Sequence, residues 1–241
     1  MRTYLVFLLL LAIKGGSRLF FRHEIGWVGV VPPDRWARIR ILAMLNHTSL
    51  FEPVLAGGAP ASLLWRIARH GVVPVADKTA RRPVLGRLFR LMARQVIPIT
   101  RQRDETWETV MARVEDPSAL VAILPEGRMR RRTGLDSEGR PLTVRGGIAD
   151  ILRAIPRGRM LLVYSGGLHH IHAPGDRFPR IFKTVRMCLE AVEIPAYREA
   201  RLAEGGTVAF KGAVIRDLAR RRDRFCPVRD DTSARPEEPA P

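Results

Sequence analysis

The chain has 241 residues, 46% of them hydrophobic and 27% charged, which fits a globular protein of one to two domains and excludes a disordered, collagen-like or polytopic membrane chain. Lysine and arginine total 41 against 24 acids, a net charge of +17, so the surface attracts polyanions: nucleic acid, an anionic membrane leaflet or an acidic carrier protein. The two cysteines, Cys188 and Cys226, form neither a C-x-x-C pair nor a zinc pattern, which excludes a disulfide scaffold and points to a reducing compartment.

Taken in chain order, residues 4–13 (YLVFLLLLAI) form an uninterrupted apolar run of ten, half the roughly 20 residues needed to span a bilayer. Arg2 precedes it, Lys14, Arg18 and Arg22 follow, and Gly15-Gly16 breaks it. No small-x-small cleavage site marks a signal peptide. The pattern predicts a short helical segment lying in one leaflet with arginines at the headgroups; the plainer alternative is a buried core helix. Strands are expected at 38–45, 72–76, 96–99, 119–124, 160–164 and 185–194. Helices are expected at 61–70, 83–94, 104–114 with Asp104 as N-cap, 146–155 and 211–225. This alternation argues for an α/β sheet with covered faces. Three parts follow: a membrane-associated segment at 1–22, a main domain at 23–226, and a proline-rich, disordered tail at 227–241.

Four blocks resemble, in order, those of the glycerolipid acyltransferases, whose best-known members are the lysophosphatidate acyltransferases. Asn46-His47-Thr48-Ser49-Leu50-Phe51-Glu52 resembles the N-H-x-x-x-x-D block, with Glu52 in place of Asp. Lys78 to Pro83 with Gly86, then Ile97-Pro98-Ile99-Thr100-Arg101, resembles the second block. Leu124-Pro125-Glu126-Gly127-Arg128 resembles F-P-E-G-T-R, with Arg128 for the Thr and Met129 for the Arg. Arg145-Gly146-Gly147-Ile148-Ala149 and the following strand resemble the fourth, with Ser165-Gly166-Gly167 where a proline is common. The resemblance spans residues 40–170. It implies a mixed α/β sheet of the glycerolipid-acyltransferase type covered by helices. It also implies transfer of a fatty acyl group from acyl-CoA or acyl-carrier protein to the free hydroxyl of a lysophospholipid such as 1-acylglycerol 3-phosphate. The site residues it implies are His47 and Glu52 for catalysis, and Asn46, Lys78, Arg101, Glu126, Gly127 and Arg128 for substrate binding.

The residues themselves support that chemistry. Acyl transfer to a hydroxyl needs a base that titrates near neutrality, and a carboxylate to fix the imidazole tautomer. His47 and Glu52 are five apart, about 140° around a regular helix, so they pair only across an irregular segment with His47 in an exposed loop. The competing reading is a capping box, Ser49-x-x-Glu52. Against it stands Pro53, which lacks the N–H that a helix interior requires and favours the first helical position. Arg101 follows a strand and carries a fork that matches phosphate oxygens.

No metal or cofactor is called for, because a thioester is already activated. His169, His170 and His172 have no zinc spacing. Residues 126–159 hold nine arginines against four acids, and 211–224 six basic residues against two; either patch suits anionic lipid or an acidic acyl carrier, or is simply a solvated face. Nucleic acid is not expected as a partner, since the arginine-rich stretches carry almost no aromatics. The reading is a peripheral or monotopic acyltransferase on the cytoplasmic face of the cell membrane. The alternatives are an acyltransferase for an aminolipid without glycerol phosphate, and an inactive lipid-binding homologue.

Overall fold

A computed structural model describes residues 1–100, 102 and 104–227, without the side chains of residues 84 and 85. Arg101 lies outside the described residues, and so does the expected disordered tail apart from Pro227.

Among the described residues, seven strands form one sheet in the order β1-β7-β6-β2-β5-β3-β4. They are β1 (Arg22–Trp27), β2 (Ile39–Leu45), β3 (Gly71–Ala76), β4 (Gln95–Ile99), β5 (Leu120–Ile123), β6 (Arg159–Ser165) and β7 (Thr184–Glu193). From β6 to β4 all neighbours run parallel; β7 is antiparallel to β6, and β1 is parallel to β7. The parallel core explains the short apolar runs at 119–124 and 160–164. Strands covered on both faces need no polar alternation, and β5 and β6 are buried throughout.

Helices cover both faces. On one side Ile41, Ala43 and Leu45 of β2 share a core with α5 (Glu105–Val114), α6 (Gly147–Ala154) and α8 (Gly206–Phe225). On the other, Leu42 and Met44 pack toward the 3-10 helix Glu52–Gly58 and α2 (Ala61–His70). The short α3 (Asp77–Ala80), α4 (Pro83–Leu91) and α7 (Ile194–Leu202) complete the shell. The mixed α/β sheet covered by helices is thus the architecture expected. Asp104 caps α5, its carboxylate accepting the Thr106 and Trp107 N–H groups.

The structure departs from the sequence reading at several elements, α3 and α7 among them, which no expected helix covers. The helix α1 runs from Arg2 to Phe20, through Gly15-Gly16, for 19 residues. Each glycine costs about 1 kcal/mol against alanine, and the tertiary contacts of α1 offset this. Val6 and Leu10 are buried against Leu64 and Ala68 of α2, each burial contributing about 1.5–3 kcal/mol. By length and composition α1 is the one helix among the described residues able to cross a membrane, which the ten-residue run did not reveal. The edge strand β1 went unseen because its sequence, RHEIGW, is polar and mostly exposed; its register with β7 forms it. The last strand ends at Glu193 because Pro195 opens α7.

Candidate active site

The parallel strands end at one edge of the sheet, where α/β proteins place their ligand sites. β2 delivers Asn46 and His47 there, β5 delivers Pro125-Glu126-Gly127, and β6 delivers Gly166-Gly167. Asn46 has φ +64°, a left-handed conformation that asparagine tolerates better than most residues. Its Nδ2 donates to the Ser165 carbonyl at 2.8 Å, tying the turn after β2 to the end of β6.

The segment beyond is irregular, as Pro53 implied. The 3-10 helix begins at Glu52 with Pro53 beside its start. The Glu52 carboxylate turns back along the loop: Oε2 meets His47 Nδ1 at 2.5 Å and Oε1 accepts the Thr48 N–H at 3.0 Å. A capping box would join Glu52 to the Ser49 N–H. Here the Ser49 hydroxyl accepts the Phe51 N–H at 3.1 Å instead. With Nδ1–H donating to the carboxylate, Nε2 is the basic nitrogen of the ring.

His47 is not the exposed loop residue expected; it is only 8% exposed, and Glu52 6%. The loop folds under the turns after β5 and β6, which the chain order does not reveal. The His47 N–H donates to Glu126 Oε2 at 2.8 Å, and its carbonyl accepts the Arg130 N–H at 2.7 Å. Thr48 Oγ1 accepts the Leu168 N–H at 2.8 Å. The imidazole is therefore held by its ring, both its peptide groups and its neighbour.

Glu126 is 1% exposed and does not line the cavity. Its Oε1 accepts Arg222 Nη1 at 3.1 Å, and the same nitrogen donates to the Leu142 carbonyl. Arg222 had no individual signal in the sequence, being one arginine of a basic stretch; only packing of α8 turns it inward. Gly127 has φ +64°, the conformation that favours glycine in the turn. Arg128 lines the cavity but is already paired with Asp136 at 2.6 Å and Glu138 at 2.9 Å. Lys78 is exposed on α3. The three histidines go separate ways: His169 Nε2 donates to the Arg130 carbonyl, His170 Nε2 to the Thr184 carbonyl, and His172 Nδ1 lies 3.4 Å from Ser49 Oγ.

A cavity of about 630 Å³ opens in front of the pair, within the range of small-molecule sites. It reaches from Leu10 of α1 to Lys211 of α8. Leu42, Met44, Leu55, Leu63, Val163 and Leu189 contribute apolar wall; among the described residues His47, Glu52, Arg128, Arg145, Asp150 and Lys211 are its charged or titratable groups.

No family model and no curated protein matches the sequence. Among solved structures, the 1-acyl-sn-glycerophosphate (LPA) acyltransferase PlsC from Thermotoga maritima is similar, with a TM-score of 0.53 and 15% identity over 94% of this chain and 81% of that one. The chain shares that protein's fold.

Within this fold the first block's N–H groups are largely engaged. Those of His47, Thr48 and Phe51 go to Glu126, Glu52 and Ser49, so none of the three is available to an incoming oxyanion without breaking a loop contact.

Proposed function

We propose that the protein is an acyltransferase that moves a fatty acyl group from a thioester, acyl-CoA or acyl-carrier protein, to the free hydroxyl of a lysophospholipid such as 1-acylglycerol 3-phosphate. The observation that carries the reading is the buried His47–Glu52 contact of 2.5 Å facing a largely apolar cavity. The acyl chain lies along the apolar wall toward α1. His47 Nε2 takes the acceptor's hydroxyl proton as the oxygen attacks the thioester carbonyl. The Glu52 carboxylate holds the tautomer and stabilises the imidazolium. The tetrahedral intermediate collapses to the ester, and the imidazolium returns its proton to the departing thiolate. Glutamate in place of the family's aspartate is compatible with this role, because its carboxylate bridges both Nδ1 and the Thr48 N–H.

On the resemblance, Arg101 and Lys78 serve the acceptor's phosphate, with Asn46, Glu126, Gly127 and Arg128 at the same edge; the hydrogen bonds of Asn46 and Glu126 also hold the His47 loop. The protein works on the cytoplasmic face of the cell membrane, peripheral or monotopic, with α1 at the lipid surface. The test is purified full-length protein with a panel of lyso-lipids, aminolipids included, two thioester donors, and product masses. Ester product with a lysophosphatidate supports the proposal. Product only with an aminolipid reassigns the acceptor, and no product with any pair sinks the enzyme reading in favour of a lipid-binding protein.

A further inference from the structure

We infer that Lys211 and Arg145 form an organic-phosphate subsite at the α8 end of the cavity; the inference rests on the acyl-transfer reading above. Lys211 comes from α8, far along the chain from His47, yet its side chain lines the same cavity. Its stem crosses Gly146 so closely that a Cβ there would sit 1.8 Å from Cε and 2.7 Å from Nζ. Gly146 has φ −71°, open to any residue, so its missing side chain provides space rather than backbone freedom. Gly147 likewise makes room for Trp107, whose ring would lie 2.8 Å from a Cβ. The glycine pair thus lets a lysine and a tryptophan approach this corner of the backbone closely.

Arg145 stands next to that pair. Its N–H donates to the Pro125 carbonyl at 2.7 Å, which anchors it beside the turn that follows β5. Its side chain also lines the cavity. A third described cation of the wall, Arg128, is already paired with Asp136 and Glu138. Among the described residues, Arg145 and Lys211 form no ion pair. Among the described residues the cavity's acids are Glu52, committed to His47, and Asp150.

Lys211 also gains nothing by stabilising α6. Its ammonium lies beside the helix's N-terminal end, where exposed N–H groups disfavour a cation. A planar guanidinium fork and a point-charge ammonium converging on one cavity suit a tetrahedral phosphate. That phosphate can belong to the lyso-lipid acceptor or to the CoA of the donor, and the experiment separates the two.

The experiment is calorimetric titration of the full chain with a short-chain 1-acylglycerol 3-phosphate, the matching monoacylglycerol, and CoA, with acyl-transfer kinetics measured separately. Lys211→Met keeps the stem and removes the charge; Arg145→Met does the same for its partner, and Lys211→Arg is the conservative control. The Kd of a phosphate-bearing ligand is expected to rise about tenfold or more in each Met variant, the loss of one charge-assisted contact. The Arg variant is expected to recover part of it, and monoacylglycerol binding to stay unchanged. A rise confined to the 1-acylglycerol 3-phosphate places the acceptor there; a rise confined to CoA places the donor. Unchanged Kd values for both phosphate ligands in both Met variants overturn the inference. Lys211-dependent phosphate binding without acyl transfer by the wild type would leave the subsite standing and remove the enzyme reading. Acyl transfer with phosphate binding indifferent to Lys211 would do the reverse.

Discussion

The Glu126 carboxylate receives the His47 N–H at 2.8 Å through one oxygen and the Arg222 guanidinium at 3.1 Å through the other. Through Glu126, the C-terminal helix α8 holds the loop that carries the candidate base. Glu126→Ala leaves the Arg222 cation buried without this partner. Breaking a buried pair from one side costs about 3–5 kcal/mol. Chemical denaturation is expected to show a loss of that order, with the Glu126→Ala/Arg222→Ala double variant losing less than the sum of the singles. Additive losses would mean that the two residues act independently.

Glu52→Gln keeps the size but replaces one acceptor oxygen with an N–H donor, which the His47 tautomer does not accept. Acyl transfer is expected to fall about 10² to 10⁴-fold, as for loss of general-base function. Glu52→Asp shortens the reach by about 1.5 Å and is expected to retain partial activity. A Gln variant as active as wild type would reduce Glu52 to a loop cap.

His47→Ala is expected to be inactive and also less stable, against the small stability change that an exposed loop would give. It leaves the Glu52 carboxylate buried with the Thr48 N–H but no imidazole, a loss of about 1–3 kcal/mol. Thermal unfolding and single-turnover transfer on the same sample separate the two effects.

Near the C-terminal end of α1 an apolar lip faces solvent. Phe20 stacks toward Phe182 at 6.4 Å, and Phe178 and Phe182 are 72% and 68% exposed. Arg18, Arg22, Arg177, Arg180 and Lys183 lie close by in the sequence. Phe178→Asp with Phe182→Asp is expected to weaken vesicle flotation while detergent-solubilised activity persists. Deleting residues 1–22, by contrast, is expected to damage both, since Leu10 lines the cavity and Arg18 donates to the Gly57 carbonyl. Unchanged flotation of the double Asp variant on anionic vesicles would remove the lip from the membrane contact.

His23 lies between α1 and the 3-10 helix, its Nε2 2.8 Å from Ser17 Oγ. Burial lowers its pKa, with Arg18 and Lys14 adding to the effect and the Ser17 contact opposing it. A depressed histidine is neutral when folded, so its contribution is present above the unfolded pKa and lost as the pH falls through the folded one. Wild type is therefore expected to lose stability between about pH 7 and about pH 5, more than His23→Gln does. Equal losses in thermal unfolding at the two pH values would exclude His23 as the source.

Much of the fold was legible in short range. The apolar runs at 72–76 and 119–124 and the helical spacing at 61–70 depend on local periodicity, and the Asp104 cap on a side chain reaching two and three residues ahead. Pro53 likewise forced an irregular loop at 46–52, because a missing N–H is a property of the residue itself. The course of α1 through Gly15-Gly16, strand β1 and the burial of His47 were not legible. Each depends on partners far along the chain: α2, β7 and the turns after β5 and β6.

The same division runs through the site. The sequence by itself determined which groups are present: a histidine with a carboxylate five residues on, and glycines where turns follow strands. Only the tertiary structure decided their use, since direction and burial depend on what packs against each group. Packing turned Glu126 inward to Arg222, tied Arg128 to Asp136, and brought Lys211 over Gly146 into the cavity. In a chain with this many arginines, composition cannot separate a cation facing the cavity from one facing water, because the difference is the position of other elements.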